Sequence, residues 1–446
     1  VLAIFAAAAA SYHYDLGTRW FGAPAATPRP PKTPVLTLPS PSPLRPVARP
    51  APATRPAAAA VRRALAQALA DPDLANLRAV VAPLKGAALL DHGQGSSMPA
   101  STMKLLTATA ALHVLGPGHT FATRVLARGR RSITLVGGGD PFLADRSSKA
   151  GSPADASLQA LARQTADRLK ARGVTRVGLS YDASLFTGPA VNPRWPASYL
   201  TDQVVSPITA LWADEGVAAD RSRRVADPAA TAAADFAAYL TTDGIKVDGA
   251  PRDQRARPGA RELARVTSVP LSDIVERVLE TSDNEGAEVL VRQVGLAVGG
   301  EGSFAGGVRG VEQTLRGLGI TTHGARLYDG SGLSRHDRLD AATLVQVLQL
   351  AATADHPELR PVLTGLPVAS FSGSLEGRFE HSTGRGWVRA KTGTLSGTSA
   401  LAGLATDARG RVLVFAFVSN HVPVVRTLDA RAALDRLAAA LAACRC

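Results

Sequence analysis

Cysteine is almost missing from this chain: of 446 residues only Cys444 and Cys446 carry sulfhydryls, both within the last three positions. No long-range disulfide can staple the interior, so the fold must rest on packing. A Cys-x-Cys pair supplies too few ligands for a closed metal site and reads as a dispensable tail. Aromatic residues make up only 5% of the chain, and no block of basic residues alternates with them; the stacking-plus-phosphate pattern of a nucleic-acid binder is missing. The nine histidines (13, 92, 113, 119, 323, 336, 356, 381, 421) show no His-Glu-x-x-His spacing, which argues against a zinc peptidase, and no metal or cofactor is expected. No Gly-x-Ser-x-Gly elbow supports a histidine-dependent hydrolase. Lysine is scarce, seven residues against 43 arginines.

What is present is a globular chain with a charged end. Hydrophobic residues make up 46% and charged residues 20%, and the length allows two or three domains. The formal charge of +13 comes mostly from arginine and suits anionic surroundings such as lipid head groups or wall polymers, although an Ala- and Arg-rich bias is also what a GC-rich coding sequence produces. Val1 to Ala10 is apolar and uncharged, shorter than the roughly 20 residues a bilayer span needs. It reads as the trailing part of an export signal or membrane anchor. Twelve of the 30 prolines then fall between Pro24 and Pro56, which predicts an extended, semi-rigid spacer. The expected division is 1–23 signal or anchor remnant, 24–59 linker, 60–128 with 262–446 one catalytic unit, and 129–261 an inserted domain. The localisation that follows is extracytoplasmic, in the cell envelope.

Hydrophobic spacing predicts a helix over Ala58 to Leu69, strands at Arg78 to Ala82 and Gly86 to Leu90, and a helix leading from Ser101. Further on come a strand Ser132 to Val136, a helix Leu158 to Arg172, a strand Arg176 to Asp182 and an amphipathic helix from Ser272. The chain closes with strands ending at Lys391-Thr392-Gly393, at Ala400 to Thr406 and at Arg411 to Val418, then a helix from Leu428 to Ala443. Strands and helices in this order predict an α/β (α+β) sandwich with a central helix on an antiparallel sheet.

Chemistry is concentrated in three short polar motifs. Ser101-Thr102-Met103-Lys104 places a hydroxyl and an amine one helical turn apart, on one face. A lysine serves as the base for such an alcohol only if burial or a neighbouring cation keeps it neutral. Ser282-Asp283-Asn284 lies in a polar turn between two helices, and Lys391-Thr392-Gly393 ends a strand. Two of only seven lysines fall in these motifs, an unlikely placement by chance. The 178 residues between Lys104 and Ser282 exceed what a helical lobe needs, which is the basis for the inserted domain.

In this order the motifs mark serine β-lactamases and penicillin-binding proteins. Together with Leu135-Val136-Gly137-Gly138-Gly139-Asp140-Pro141, Asp329-Gly330-Ser331-Gly332-Leu333-Ser334-Arg335 and Ala390 to Gly397, the chain resembles the class C low-molecular-mass penicillin-binding proteins, the D-alanyl-D-alanine carboxypeptidase/endopeptidase family. The resemblance covers nearly everything after residue 60 and implies a transpeptidase-like sandwich with an inserted domain. It implies Ser101 as nucleophile, Lys104 as base, and Ser282, Asn284 and Lys391 as their catalytic partners. Thr392, Gly393 and Thr394 would bind the substrate's terminal carboxylate, while Arg335 and Asp182 would face the carboxylate and ammonium of a diaminopimelate side chain. The implied partners are peptidoglycan stem peptides and β-lactam antibiotics. Two alternatives stay open: an endopeptidase that cuts peptidoglycan cross-links with the same residues, and a non-catalytic wall-binding protein of the same fold. No Glu-x-x-Leu-Asn segment of the rapid β-lactamases occurs, so slow release of a penicilloyl adduct is expected.

Overall fold

A computed structural model describes residues 56–146 and 156–446. The apolar start and nearly all of the proline-rich segment lie outside the described residues.

The centre is a five-stranded antiparallel sheet formed by β1 (Arg78–Pro83), β2 (Leu90–His92), β9 (Val388–Leu395), β10 (Thr398–Thr406) and β11 (Val412–Asn420), in the order β2-β1-β11-β10-β9. Side chains alternate between its two faces, and both are covered. Ala79, Val81, Leu413, Phe415 and Phe417 pack against the first helix, α1 (Ala58–Leu69), and the last, α9 (Thr427–Ala443). Val80, Ala82, Val414, Ala416 and Val418 meet the opposite layer. Each Val, Leu or Phe among these contributes about 1.5–3 kcal/mol on leaving water, and each Ala less.

That opposite layer is built on α2 (Lys104–Leu115), where every residue from Lys104 to Leu112 is buried. A helix that is apolar all round belongs in a core. Around it pack α5 (Leu271–Thr281), α6 (Asn284–Ala297), α7 (Phe304–Gly317) and α8 (Ala341–Ala351).

A second, mixed sheet contains β3 (Ala122–Arg128), β4 (Ser132–Val136), β5 (Arg176–Asp182), β6 (Lys246–Val247) and β8 (Arg261–Thr267), in the order β6-β5-β4-β3-β8, with β7 (Arg252–Asp253) paired to β5. Helices α3 (Leu158–Lys170) and α4 (Pro228–Thr242) cover it. Its entering and leaving strands, β3 and β8, are antiparallel neighbours. The bonds from Ser268 N to Phe121 O (2.9 Å) and Leu271 N to His119 O (2.8 Å) continue that pairing to the central layer.

Most expected elements occur within two residues of their predicted ends. The strand expected at Gly86 to Leu90 is shifted to Leu90–His92; Gly86 takes a φ of +121° and opens a turn instead. The dispensable-tail reading of Cys444 and Cys446 is also corrected. The two are joined by a disulfide, both are buried in the layer with α1, and Cys446 O accepts from Ala57 N at 3.1 Å. Among the described residues no helix is long and apolar enough to cross a membrane.

Candidate active site

Ser101 sits on a 3₁₀ turn, Ala100–Met103, that runs directly into α2, so Lys104 is the first residue of the α-helix. The sequence predicted one continuous helix here. The tighter turn still brings residues i and i+3 together, as three residues per turn require. Lys104 Nζ lies 3.0 Å from Ser101 Oγ, 2.9 Å from Asn284 Oδ1 and 2.9 Å from the carbonyl oxygen of Ser331. The amine is fully buried.

A protonated amine has three N–H donors for these three oxygens; a neutral one has two donors and one lone pair. The Asn284 and Ser331 oxygens only accept, so in the neutral form they take the two donors and the lone pair faces the Ser101 hydroxyl. Burial is the main reason the Lys104 pKa falls from 10.5 to about 8, and Glu288, Asp283, Asp329 and Glu285 oppose the fall. The sequence predicts burial, helped by like-charge pressure from Lys391, and burial is the leading cause found. The structure shows the like-charge effect on the other partner: burial first, then the Lys104 charge and Arg378, hold Lys391 well below its ordinary value.

Strand β9 flanks the serine turn. Gly393 lies so close to it that a Cβ there would sit 2.9 Å from Pro99 O and 3.1 Å from Ala100 Cβ. Two residues earlier Lys391 is fully buried and donates to Thr392 O at 3.0 Å, while Thr392 Oγ1 bonds Ser374 Oγ at 2.8 Å. Thr394 is exposed and paired with Ser399.

From the opposite side, α5 ends at Ser282, which adopts a left-handed conformation (φ 62°, ψ 37°), and α6 begins at Asn284. Asp283 caps α6 by accepting from Gly286 N at 2.7 Å. Asn284 Nδ2 donates to Val204 O at 3.2 Å, so a segment following β5 holds the asparagine that touches Lys104.

Arg335 lies at the same edge as β9. Its Nη2 donates to Ser396 O at 2.7 Å, and it also hydrogen-bonds Tyr199. Asp182 is not joined to this cluster by any of its hydrogen bonds: its carboxylate accepts from Ser184 N (2.9 Å) and Ala256 N (2.7 Å).

Sequence reasoning missed a buried polar cradle beneath the amine. Glu288 on α6 accepts from Ser331 N at 2.7 Å and from Gly330 N at 3.0 Å, and Thr107 Oγ1 donates to Gly330 O at 2.7 Å. Asp329 accepts from Gly332 N, Ser334 N and Trp195 Nε1. The available signal was a glutamate inside the apolar run Ala287 to Val291.

With this geometry in view, comparison with known proteins is decisive. The D-Ala-D-Ala carboxypeptidase 3 (S13) family matches residues 61–221 and 218–441. The chain belongs to this family of peptidases. It is 38% identical to carboxypeptidase Rv3627c of Mycobacterium tuberculosis over 438 residues, covering 95% of this chain and 90% of that protein. It is 32% identical to the D-alanyl-D-alanine carboxypeptidase of an Actinomadura species, covering 72% and 73%. The crystal structure of penicillin binding protein 4 from Haemophilus influenzae shares its fold with a TM-score of 0.69, at 23% identity, over 85% of this chain and 97% of that one. The resemblance read from the motifs thus holds, and membership of a family of cell-wall peptidases implies that this S13 peptidase acts outside the cytoplasm.

Proposed function

We propose that this peptidase removes the terminal D-alanine from peptidoglycan stem peptides through an acyl-enzyme on Ser101. The observation that carries the reading is the Lys104 amine, whose two acceptor-only partners turn its lone pair to the Ser101 hydroxyl. Lys104 takes the hydroxyl proton as Oγ bonds to the carbonyl carbon of the penultimate D-alanine. The backbone N–H groups of Ser101 and Thr394 receive the developing oxyanion, a contribution of several kcal/mol in such sites. Ser282 passes a proton to the departing amine, the C–N bond breaks and D-alanine leaves. Water then attacks the ester and the serine recovers its proton. Lys391, Thr392, Gly393 and Thr394 bind the terminal carboxylate.

β-Lactams enter the same path and stall at the acyl stage. Arg335 pairs with the carboxylate of a diaminopimelate side chain. For Asp182, both of whose oxygens hold backbone N–H groups, we favour clamping of its own loop over binding of the substrate ammonium. The inserted domain is read as residues 129–261, which supply β4 to β7 of the second sheet and join the catalytic unit through β3 and β8, and residues 1–23 as a signal or anchor remnant.

Labelling with a fluorescent penicillin followed by mass mapping tests the core of this reading. The adduct is expected on Ser101 and absent in Ser101→Ala; a folded wild-type protein that never becomes labelled overturns it. Release of free D-alanine from a pentapeptide, compared with cleavage of a cross-linked dimer, separates the carboxypeptidase from an endopeptidase.

A further inference from the structure

Two of the nine histidines, 243 residues apart in sequence, meet at one carboxylate far from the reacting serine. His113 lies in the last turn of α2, and His356 precedes the 3₁₀ turn Pro357–Leu359 that carries Glu358. Glu358 Oε1 is 2.9 Å from His356 Nδ1 and 3.5 Å from His113 Nδ1. The two rings stand edge-on, with centroids 6.2 Å apart and planes at 68°. One ligand atom from each of the three residues falls within 4.8 Å of the others.

We propose that His113, His356 and Glu358 bind one divalent transition-metal ion, zinc in the first instance. Bonds of about 2.0–2.1 Å to imidazole nitrogen and carboxylate oxygen turn separations of 2.9 and 3.5 Å into angles of about 90° and about 120° at the ion, both within the range of four- and five-coordinate zinc. The ligand nitrogens lie within 4.8 Å of each other, and side-chain rotation closes that edge to the roughly 3.3 Å of a tetrahedral site. Two imidazoles and one carboxylate form a borderline donor set that favours zinc, cobalt, nickel or copper over magnesium or calcium. With neutral rings the set carries one negative charge. Side-chain exposures of 39%, 27% and 26% give an ion access and leave coordination positions for water.

Protons balance simply. Without metal the His356 Nδ1–H donates to Glu358 at 2.9 Å, and His113 Nδ1 stands 3.5 Å from the same oxygen. On binding, a neutral ring loses its Nδ1 proton and takes one up at Nε2, a doubly protonated ring releases its Nδ1 proton to solvent, and in both cases the Nδ1 pair goes to the ion.

The ion would tie the C-terminal end of α2 to the turn before the helix at Arg360–Thr364. Nine residues of helix separate His113 from Lys104, about 13 Å along the axis. The site is therefore a staple on the helix that carries the base at its other end, and it takes no part in acylation.

The experiment uses the full chain, stripped with a chelator and then exchanged into chelator-free buffer. Zinc is titrated by calorimetry and by thermal melting, and cobalt(II) serves as the absorption probe. Expected are one zinc ion per chain with low-micromolar affinity, a rise in melting temperature, and visible cobalt bands. His113→Ala and His356→Ala should each weaken binding at least tenfold and remove the bands, Glu358→Gln should weaken binding, and His381→Ala should change nothing. Penicillin labelling rates should match with and without zinc, which separates this site from the acylation chemistry. Absence of a one-to-one zinc event in the wild type overturns the proposal. So does binding, or a zinc-induced melting shift, that is unchanged in His356→Ala.

Discussion

The carboxylate of Glu288 accepts the backbone N–H of Ser331 at 2.7 Å, and the carbonyl of that same Ser331 receives the Lys104 amine at 2.9 Å. Every hydrogen bond to Glu288 comes from a donor, the surroundings an ionised carboxylate takes. Burial and Asp329 push its pKa up toward about 8, against these donors. It is also the first of the charges that raise the Lys104 pKa. Acylation needs the neutral amine, so its rate should climb with pH through about 8. In Glu288→Gln the amine loses its main opposing anion, and the midpoint of that climb should move down by about one pH unit. The plateau rate should fall as well, because the amide's own N–H meets Gly330 N. Stopped-flow acylation by a chromogenic β-lactam across pH measures both; an unmoved midpoint in a folded variant would show that Glu288 only shapes the turn.

The close approach of Gly332 to Ala100 makes a second prediction. Gly332 has a φ of +81°, and a Cβ there would lie 1.9 Å from Ala100 O, the residue before the nucleophile. No side chain shift relieves a clash with backbone. Gly332→Ala should therefore cost about 3 kcal/mol through overpacking and an unfavourable φ together. It should slow penicillin labelling by more than tenfold. Denaturant unfolding and labelling kinetics on the same preparation check the pair of effects.

These relationships also show what sequence alone could supply. The three polar motifs, the central helix and the outer strands were legible because each has a local signature: an i, i+3 pair, an apolar run, an alternation of period two. Glu288, Ser331 and Thr107 were not, because their roles depend on backbone groups that come near only after α2 and α6 pack. The shifted start of β2 was hidden for a similar reason: the chain bends at Gly86, whose carbonyl accepts from Gln349 Nε2 on α8 at 3.0 Å, a partner that comes near only on packing. The pairing of β3 with β8, 134 positions apart at Ala127 and Arg261, carries no local mark at all.

Stability should respond to pH in a direction set by buried acids. Burial, the largest cause in each case, raises Glu215 to about 9 and Glu285 to about 7, with Asp283 adding to both and Arg277 and Arg224 opposing. An acid whose folded pKa is raised makes the folded chain bind more protons than the unfolded one between the ordinary value and the raised one. Stability from these groups is complete below the ordinary carboxyl range and is lost as pH climbs toward about 9. Lys104, lowered to about 8, and Lys391, held well below its ordinary value by burial, act the opposite way, while Glu288 and Asp337, both raised by burial, add to the acids' side. The melting temperature should therefore be higher near pH 5.5 than near pH 8. Glu215→Gln, which has no such proton to lose, should flatten the slope. Scanning calorimetry at the two pH values reads the difference.

The last prediction concerns substrate choice at Arg335. Its guanidinium is anchored by Ser396 O at the turn between β9 and β10 and by Tyr199, so it is held at the edge of the Lys391-Thr392-Gly393 strand instead of moving free in solvent. On the proposed reading a guanidinium held there would pair with a carboxylate arriving on the substrate's side chain, but it is not among the groups around Lys104 Nζ. Removing it should therefore weaken binding and leave the chemical step nearly intact. Arg335→Ala should raise KM about tenfold or more for a stem peptide carrying diaminopimelate and change kcat little. For the same peptide with lysine in place of diaminopimelate, which lacks the side-chain carboxylate, KM should stay near the wild-type value. Steady-state release of D-alanine from the two peptides measures the contrast. An equal loss on both would assign Arg335 to holding the β9–β10 turn through Ser396 and not to reading the side chain.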